Sequence, residues 1–410
     1  MKCLIIGAGG PVGVSLLYVF QKLGWKALAV DPRRPKHQAV HERALHDTLL
    51  GWIEEHYTLD DLASRLRDGP FDAVIDLSPT MDKRQSIAIC DQAGVSLVNS
   101  TMVDWTADIH IAAYNFVDRR PEATRRPHIV ASGMNPGSLN AMAEDVIVKA
   151  GRPDSIVYWE YDDTMPACGS YRGPSITWCP SESAAEIIED WNFEVLEEGT
   201  VLLHEDALCS PPVPFGESGV PLDRVPVPPD GEGFLIGHEE CIYMGWRHDT
   251  AAKFVYGFHA ENMRLIREAG YDLKPELLLR SRQEELSGRD VVGVACRFGD
   301  LWRGQYCLLE NSAGIPLDSN ATCALVAAGV AASVCVLRDA TPRPGVHLTH
   351  ELKDYAEAFR RLAAVHEYEL ADGVSRLVPG TAAGPALLDA PLAPDEAPGP
   401  GAAVGVLGHD

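Results

Sequence analysis

The sequence lacks the patterns that indicate a disulfide framework, a structural zinc site or a membrane span. Its ten cysteines are scattered from Cys3 to Cys335 and form no Cys-x-x-Cys pair, so neither a zinc site nor a redox motif is indicated. Buried free thiols fit this pattern better. No run of about 18 apolar residues occurs, which predicts that no segment spans a membrane.

Basic residues are also scarce. The chain has 35 lysines and arginines against 59 aspartates and glutamates, a formal net charge of −24. A field of that sign repels nucleic acid phosphates and attracts cations such as polyamines, although solubility alone also favours such a charge. The first residues lack the long apolar region and cleavage site of a signal peptide. We therefore expect a cytoplasmic protein that binds no nucleic acid, no membrane and no metal.

Length and patterning predict two main domains, because 410 residues are too many for one ordinary compact core. In residues 1–135, short apolar strands alternate with helical patterns, which is typical of a parallel, doubly wound Rossmann sheet. Residues 136–320 contain strand-like runs and a proline-rich loop, which predict an α+β domain with a largely antiparallel sheet. The overall class is therefore α/β.

Two further segments complete this division of the chain. A small-residue apolar helix within residues 321–345 is expected to pack back on the first domain. Residues 380–410 are rich in Ala, Pro and Gly and lack apolar periodicity, so we expect a disordered tail.

A glycine-rich turn, Gly7-Ala8-Gly9-Gly10-Pro11-Val12-Gly13, follows the first strand. Backbone N–H groups at the start of a helix favour a pyrophosphate, and glycines let it approach closely. The pattern G-x-G-x-x-G would need glycine at Val12, so the last glycine arrives one residue late. Such a turn can also simply reverse the chain, but the flanking strand and helix favour dinucleotide binding.

Asp31 ends the second strand, where a carboxylate can accept hydrogen bonds from the adenosine ribose. This favours NAD, whereas Arg33 and Arg34 weakly favour a 2′-phosphate. Further candidates lie at strand ends, where open sheets bind ligands. The predicted cofactor-binding residues are Gly7, Gly9, Gly10, Pro11, Val12, Gly13, Asp31, Arg33, Leu77, Ser78, Pro79, Ser100, Asn135 and Pro136.

The stretch Ala131-Ser132-Gly133-Met134-Asn135-Pro136-Gly137 resembles the G-x-N-P-G turn of the bacterial homospermidine synthase-like family and, more loosely, that of saccharopine dehydrogenase-like reductases. Other segments resemble the same family in the same order over roughly residues 1–340. They include Glu160-Tyr161-Asp162, Thr177-Trp178, Gly237-His238-Glu239-Glu240 and Asn320-Ala321-Thr322. The chain is thus similar to a divergent member of that family.

The resemblance implies a mechanism on an amine, polyamine or amino-acid substrate. NAD takes hydride from the carbon that bears the amine of putrescine, the imine exchanges ammonia for a second amine, and the stored hydride reduces the new imine. We also expect a homodimer. The sequence departs from the family at Val103, where the family has a glutamate and where only Asp104 lies close enough to substitute.

The candidate catalytic residues are Trp178, His238, Glu160, Glu240 and Asp162. Trp178 would face an ammonium or iminium ion, unless it is a core tryptophan. Glu160 and Asp162 are two residues apart on a strand and share a face, so they can hold a dication or a proton, or form a solvated face. His238 beside Glu240 suits proton transfer, although lone histidines are usually structural.

Three further residues are candidates for substrate binding: Asn135, Glu186 and Asp163. Asn135, followed by Pro136, is also a preferred helix cap, and Glu186 fits a solvated helix equally well. Two other functions stay open. A saccharopine or opine dehydrogenase-like enzyme would bind a carboxylate through Arg172 or Arg247, and a non-catalytic NAD-binding regulatory protein would need no acid–base cluster.

Overall fold

A computed structural model describes residues 1–78, 81–100, 120, 123–166, 174, 176, 179, 183–189, 191–274, 286–311 and 314–379. Of the predicted features, Trp178, Pro79, Arg172 and the segment 380–410 lie outside these residues. Two large sheets and the helices that cover them make up the described part of the chain, which confirms the predicted α/β class.

The first sheet has seven parallel strands in the order β17–β6–β5–β4–β1–β2–β3. The strands are β1 (Lys2–Ile6), β2 (Lys26–Val30), β3 (Leu49–Ile53), β4 (Ala73–Asp76), β5 (Ser96–Asn99), β6 (Pro127–Ile129) and β17 (Gly345–His347). The strand order reverses beside β1, and ligands bind at such a switch point in open sheets. The last strand comes from far along the chain and pairs with β6.

Four helices connect the first strands. They are α1 (Pro11–Leu23), α2 (Gln38–Ala44), α3 (Leu59–Asp68) and α4 (Lys83–Gln92). Their ends follow local rules: Pro11 opens α1 and Gly24 closes it in the left-handed conformation at φ 66°. Thr58 and Asp61 form a reciprocal capping box at the start of α3. These caps fix where each helix meets the sheet.

The second sheet is largely antiparallel, as predicted, with the order β10–β9–β13–β7–β15–β16–β18–β19 and with β12 paired to β13 and β11 to β12. Among the described strands of this second sheet, only the pair β13–β7 is parallel. Its strands are β7 (Ser155–Asp162), β9 (Asn192–Val195), β10 (Val201–His204), β11 (Val213–Pro214), β12 (Glu232–Ile236), β13 (Ala251–Phe258), β15 (Arg289–Phe298), β16 (Leu301–Glu310), β18 (Val365–Ala371) and β19 (Val374–Leu377). A separate pair joins β8 (Met165–Pro166) to β14 (Leu286–Ser287).

Five further helices pack around this sheet: α5 (Ser138–Ala150), α6 (Glu239–His248), α7 (Ala260–Ala269), α8 (Ala321–Asp339) and α9 (Tyr355–Arg360). Alternate residues of β7 face two different cores. Tyr158 packs in the main core shared with the first sheet. Trp159 and Tyr161 pack in a smaller cluster with Phe215 on the other face. Glu160 and Asp162 alternate with these aromatic residues and therefore lie on the face of Tyr158, toward the first sheet.

Helix α8 packs along α1 and is fastened to the first sheet. The hydroxyl groups of Ser15 and Ser319 lie 2.7 Å apart, and Ser319 also donates to the carbonyl of Pro11. Asp318 accepts from the backbone N–H of His37 at 2.8 Å and contacts the ring of buried His41 at 3.2 Å. The start of α8 is thereby tied to both α1 and α2.

Among the described helices, α8 is the one long and apolar enough to span a membrane, with a mean hydropathy of 1.9 over 18 residues. The sequence prediction rested on uninterrupted apolar runs and did not identify it. However, 83% of that window is buried inside the protein, and a mostly buried core helix passes the same test, so this is weak evidence for a span.

Candidate active site

The glycine turn between β1 and α1 is held against the end of β2. The backbone N–H of Gly9 donates to Oδ2 of Asp31 at 2.9 Å, and that of Arg33 donates to Oδ1 at 2.8 Å. A Cβ added at Gly9 would lie 2.2 Å from the carbonyl oxygen of Arg33. The turn therefore needs glycine at this position in order to lie against Asp31.

The irregular spacing of the glycines is explained by the same geometry. Gly7 has a φ of +84°, and a Cβ at Gly13 would lie 2.5 Å from the Cα of Ala8. Gly7 and Gly13 thus match the first and third glycine roles of the fingerprint, the tight turn and the helix–strand contact, and Gly9 occupies the position of the second. Gly10 caps α1 and Pro11 begins it, so the additional residue lies between the second and third roles.

The loop after β4 lies directly beside this turn. Asp76 ends β4, is completely buried and pairs with Nζ of Lys83 at 2.8 Å. Its other oxygen accepts from the backbone N–H and the hydroxyl group of Ser78. Leu77 is hydrogen-bonded to Ile6 and faces Gly7. The predicted cofactor residues Leu77 and Ser78 therefore lie at the switch point, with Ser78 positioned by Asp76.

The Asn-Pro-Gly turn lies at the ends of β5 and β6. Gly133 donates to the carbonyl of Pro136 at 3.0 Å, and its own carbonyl lies so close to Gly329 of α8 that a Cβ there would approach to 2.3 Å. Ser100 lies against the same turn. Helix α5 begins only at Ser138, with Gly137 as its cap. The alternative in which Asn135 caps this helix and Pro136 begins it is therefore wrong.

Asn135 instead reaches the second sheet. Its side-chain Nδ2 donates to Oε2 of Glu160 at 2.7 Å. Glu160 is 1% exposed and lies opposite Tyr256 of β13, whose hydroxyl group also binds it. Asn135 thus connects the carboxyl edge of the first sheet to a buried carboxylate of the second sheet.

Glu160 belongs to a buried group of three carboxylates. Asp162 lies two residues further on the same face, and Asp290 of β15 lies directly opposite Asp162 in the sheet. Burial, together with the neighbouring charge of Asp162, raises the pKa of Glu160 to about 8, against the lowering effect of Asn135. Burial also raises the pKa of Asp162 to about 6. Within the described residues no lysine or arginine pairs with any of the three, so the group can hold protons or a cationic ligand.

Sequence reasoning missed Asp290. Burial and the charges of Glu160 and Asp162 raise the pKa of its carboxyl group well above its ordinary value. The available signal was an acidic residue just before the apolar stretch Val291–Ala295 of β15. Asp290 lies near the start of its strand, as Asp162 lies at the end of β7. Only the pairing register brings the two together.

His238 precedes helix α6, and the two glutamates that follow it lie in the first turn, where the helix dipole favours negative charge. Its Nδ1 is hydrogen-bonded to Oε2 of Glu240 and lies 3.2 Å from Oε2 of Glu239. Burial disfavours the charged ring, but the charges of Glu240 and Glu239 outweigh it and hold the pKa of His238 well above its usual value. The ring stacks on Phe254 at 4.8 Å, and its charge reaches Glu160.

These three residues also offer one donor atom each within 4.8 Å of one another, a spacing that a metal ion could use. Nδ1 of His238 and Oε2 of Glu240, however, already bind each other through a hydrogen bond. The arrangement therefore fits a shared proton better than a metal ion.

The remaining predicted residues lie outside the acidic group. Glu186 lies in a single π-helical turn, Ala185–Glu189, and its charge reaches Tyr256. Asp163 does not join Glu160 and Asp162; its carboxylate accepts from the backbone of Arg289, with the guanidinium nearby. Arg33 contributes its backbone N–H to Asp31.

No protein-family model and no curated protein matches the sequence. Solved structures do match. The homospermidine synthase of Legionella pneumophila, solved in complex with NAD, superposes with a TM-score of 0.73 at 14% identity, over 89% of this chain and 90% of that one. The chain has the homospermidine synthase fold.

A second solved structure shares this fold to a lesser degree. The saccharopine dehydrogenase (L-Glu forming) of Saccharomyces cerevisiae, solved without ligand, gives a TM-score of 0.58 at 11% identity, over 90% of this chain and all of that one. The fold expected from the Asn-Pro-Gly turn and the order of the segments is thereby confirmed.

Proposed function

We propose that this protein is an NAD-dependent oxidoreductase that acts on the C–N bond of an amine through an imine, in the manner of homospermidine synthase. The observation that carries the proposal is the 2.7 Å hydrogen bond from Asn135 to Glu160. It connects the carboxyl edge of a parallel sheet, where dinucleotides bind, to a buried acidic group.

Residues of the first sheet fit the cofactor. Gly9 leaves space that a Cβ would fill, and Asp31 lies at the end of β2, where it favours NAD over a 2′-phosphate. Gly7, Gly13 and the loop of Leu77 and Ser78 would surround the pyrophosphate. When bound, NAD supplies a hydride acceptor for the carbon that carries the nitrogen, and can return the hydride.

The acidic group favours a cationic substrate. Glu160, Asp162 and Asp290 are each at most 2% exposed, and a buried carboxylate is stable only when it is protonated or paired. An ammonium or iminium group placed among them would supply the missing charge. A substrate carboxylate would be repelled, which disfavours the alternative of an enzyme that joins an amine to a keto acid at this point.

Proton transfer falls to His238 and Glu160. The imidazolium of His238 donates to Glu240, which fixes the orientation of the ring, while a carboxyl group with a pKa of about 8 can exchange a proton near neutral pH. In this proposal the positive charge of the substrate favours the ionised form of Glu160, which then accepts the proton of the amine while Asn135 holds the carboxylate in place. Trp178 is proposed to face the cation, as the resemblance implies.

The discriminating experiment measures two products, ammonia and NADH. The purified protein is incubated with NAD and putrescine, other diamines or amino acids, and ammonia and NADH are measured. Ammonia release without net NADH supports transfer, and accumulating NADH supports simple oxidation. Silence on every amine, with NAD binding intact, would refute the catalytic proposal in favour of the regulatory alternative.

A paired variant tests the cofactor assignment separately. Gly9→Ala is expected to lower NAD affinity at least tenfold, because the added Cβ displaces the turn from Asp31. Gly69→Ala is the control, since a Cβ there meets nothing within 4 Å. Equal affinity of the two variants, measured by calorimetry, would contradict the placement of NAD at this turn.

A further inference from the structure

A cavity of about 270 Å³ lies beside helix α6, away from His238. Its polar and aromatic lining consists of Arg120, Tyr243, Trp246, Arg247, His350 and Glu351. Tyr243, Trp246 and Arg247 share one helix face because they are spaced by three and four residues. Tyr243 and Arg247 follow His238 by five and nine residues, which places them about 7.5 and 13.5 Å further along the helix axis. None of the described lining residues belongs to the acidic group of Glu160, Asp162 and Asp290.

Two guanidinium groups line this cavity, and each has N–H donors that no hydrogen bond to the described residues uses. Arg120 donates through Nη1 to Oε2 of Glu351 at 2.7 Å. Arg247 donates through Nε and Nη2 to Glu144, at 3.1 Å for the shortest contact. Nη1 of Arg120 also donates to the carbonyl of Val346 at 3.5 Å. Nε and Nη2 of Arg120 and Nη1 of Arg247 make no hydrogen bond within the described part of the chain. The carboxylates therefore hold the guanidiniums in position without using all five donors of either one.

His350 adds a buried polar atom without a partner. The residue is 6% exposed, and its Nδ1 has no hydrogen bond among the described residues. Burial lowers its pKa to about 4, so the ring is neutral at neutral pH. A buried polar atom of this kind is stabilised when a ligand or water supplies the missing hydrogen bond.

We propose that this cavity binds a small organic carboxylate, held by Arg120 and Arg247, with its apolar body against Tyr243 and Trp246. Guanidinium forks match the geometry of a carboxylate and bind it in charge-assisted hydrogen bonds. The volume is slightly below the usual range for drug-sized ligands, which suits an acid of the size of benzoate. The site requires neither NAD nor an amine, so it goes beyond the proposed function.

The test is a titration of the full-length protein without NAD or amine, in which binding is measured by calorimetry and by tryptophan fluorescence. Benzoate is the probe, benzamide its neutral isostere and inorganic phosphate the alternative anion. We expect benzoate to bind at least tenfold more tightly than benzamide, and Arg120→Gln and Arg247→Gln each to weaken benzoate at least tenfold. Arg303→Gln is the matched control: Arg303 is 40% exposed, like Arg247, and pairs with Glu369.

Several outcomes would overturn the proposal: no binding of benzoate, equal binding of benzamide, binding of phosphate alone, or an equal loss in the Arg303 control. Arg247→Lys guards against misfolding, because it keeps the charge opposite Glu144 but removes the fork, and it should still weaken benzoate. Since no cofactor or turnover enters the assay, failure here leaves the proposed function intact.

Discussion

Replacing Glu160 by glutamine should make the protein more stable and less active. In the folded protein the carboxyl group of Glu160 has a pKa of about 8, against an ordinary value of 4.5. Between these two values the folded state keeps a proton that the unfolded state releases. The free energy of unfolding of the wild type therefore falls as the pH rises through this range, and it levels off above about pH 8. Glutamine is neutral and of the same shape, and can still accept from Asn135.

The size of the effect follows from the same pKa. Each pH unit is worth about 1.4 kcal/mol, so the full difference corresponds to roughly 5 kcal/mol at pH 9. Asp162 shares part of this energy, since its own pKa rises to about 6 for the same reason. We therefore expect Glu160→Gln to raise the free energy of unfolding by about 2–5 kcal/mol at pH 9, and by little at pH 5.

Urea denaturation at pH 5, 7 and 9, followed by circular dichroism, measures this difference. The control is Glu369→Gln, a strand glutamate whose side chain is 42% exposed and pairs with Arg303, for which we expect no trend with pH. Turnover of an amine by Glu160→Gln should fall at least a hundredfold, as is typical for loss of an acid–base group. A stability difference that stays constant from pH 5 to 9 would refute the reasoning about the buried acidic group.

Two further predictions concern the other buried charges. Glu240→Gln removes the main charge that holds His238 protonated, so the imidazole should titrate at a lower pH, as followed by NMR; an unchanged titration would contradict the pairing. Lys83→Met leaves Asp76 buried without its partner and should cost about 3–5 kcal/mol in urea unfolding. Arg34→Met breaks an exposed pair and should cost at most about 1 kcal/mol; equal losses would refute the role of burial.

The first sheet was largely predictable because most of its strands are short apolar segments with a local terminator. Helix α1 shows this well, since Pro11, the apolar face and Gly24 are all consecutive signals. What could not be predicted is the contribution of β17, which pairs with β6 across more than 200 residues. Nothing local in Gly345–His347 specifies that partner.

In the candidate site, too, local features were predictable and long-range contacts were not. Glu160 and Asp162 were found because a spacing of two on one strand is a local property, as is His238 next to Glu240. Asp290 and the bond from Asn135 to Glu160 depend on register and on the packing of two sheets, which no spacing in the sequence encodes. The alternative in which Asn135 caps a helix was wrong for a local reason, because Gly137 and Asn140 provide that cap instead.

The contact between α8 and α1 can form only late in the synthesis of the chain. The first two helices leave the ribosome early, yet Asp318 and Ser319, which tie α2 and α1 to α8, follow about 300 residues later. At 5–20 residues per second this is a delay of about 15–60 s. During that time the apolar side of α1 lacks its cover, so the nascent chain is expected to depend on a holding chaperone until α8 and β17 arrive.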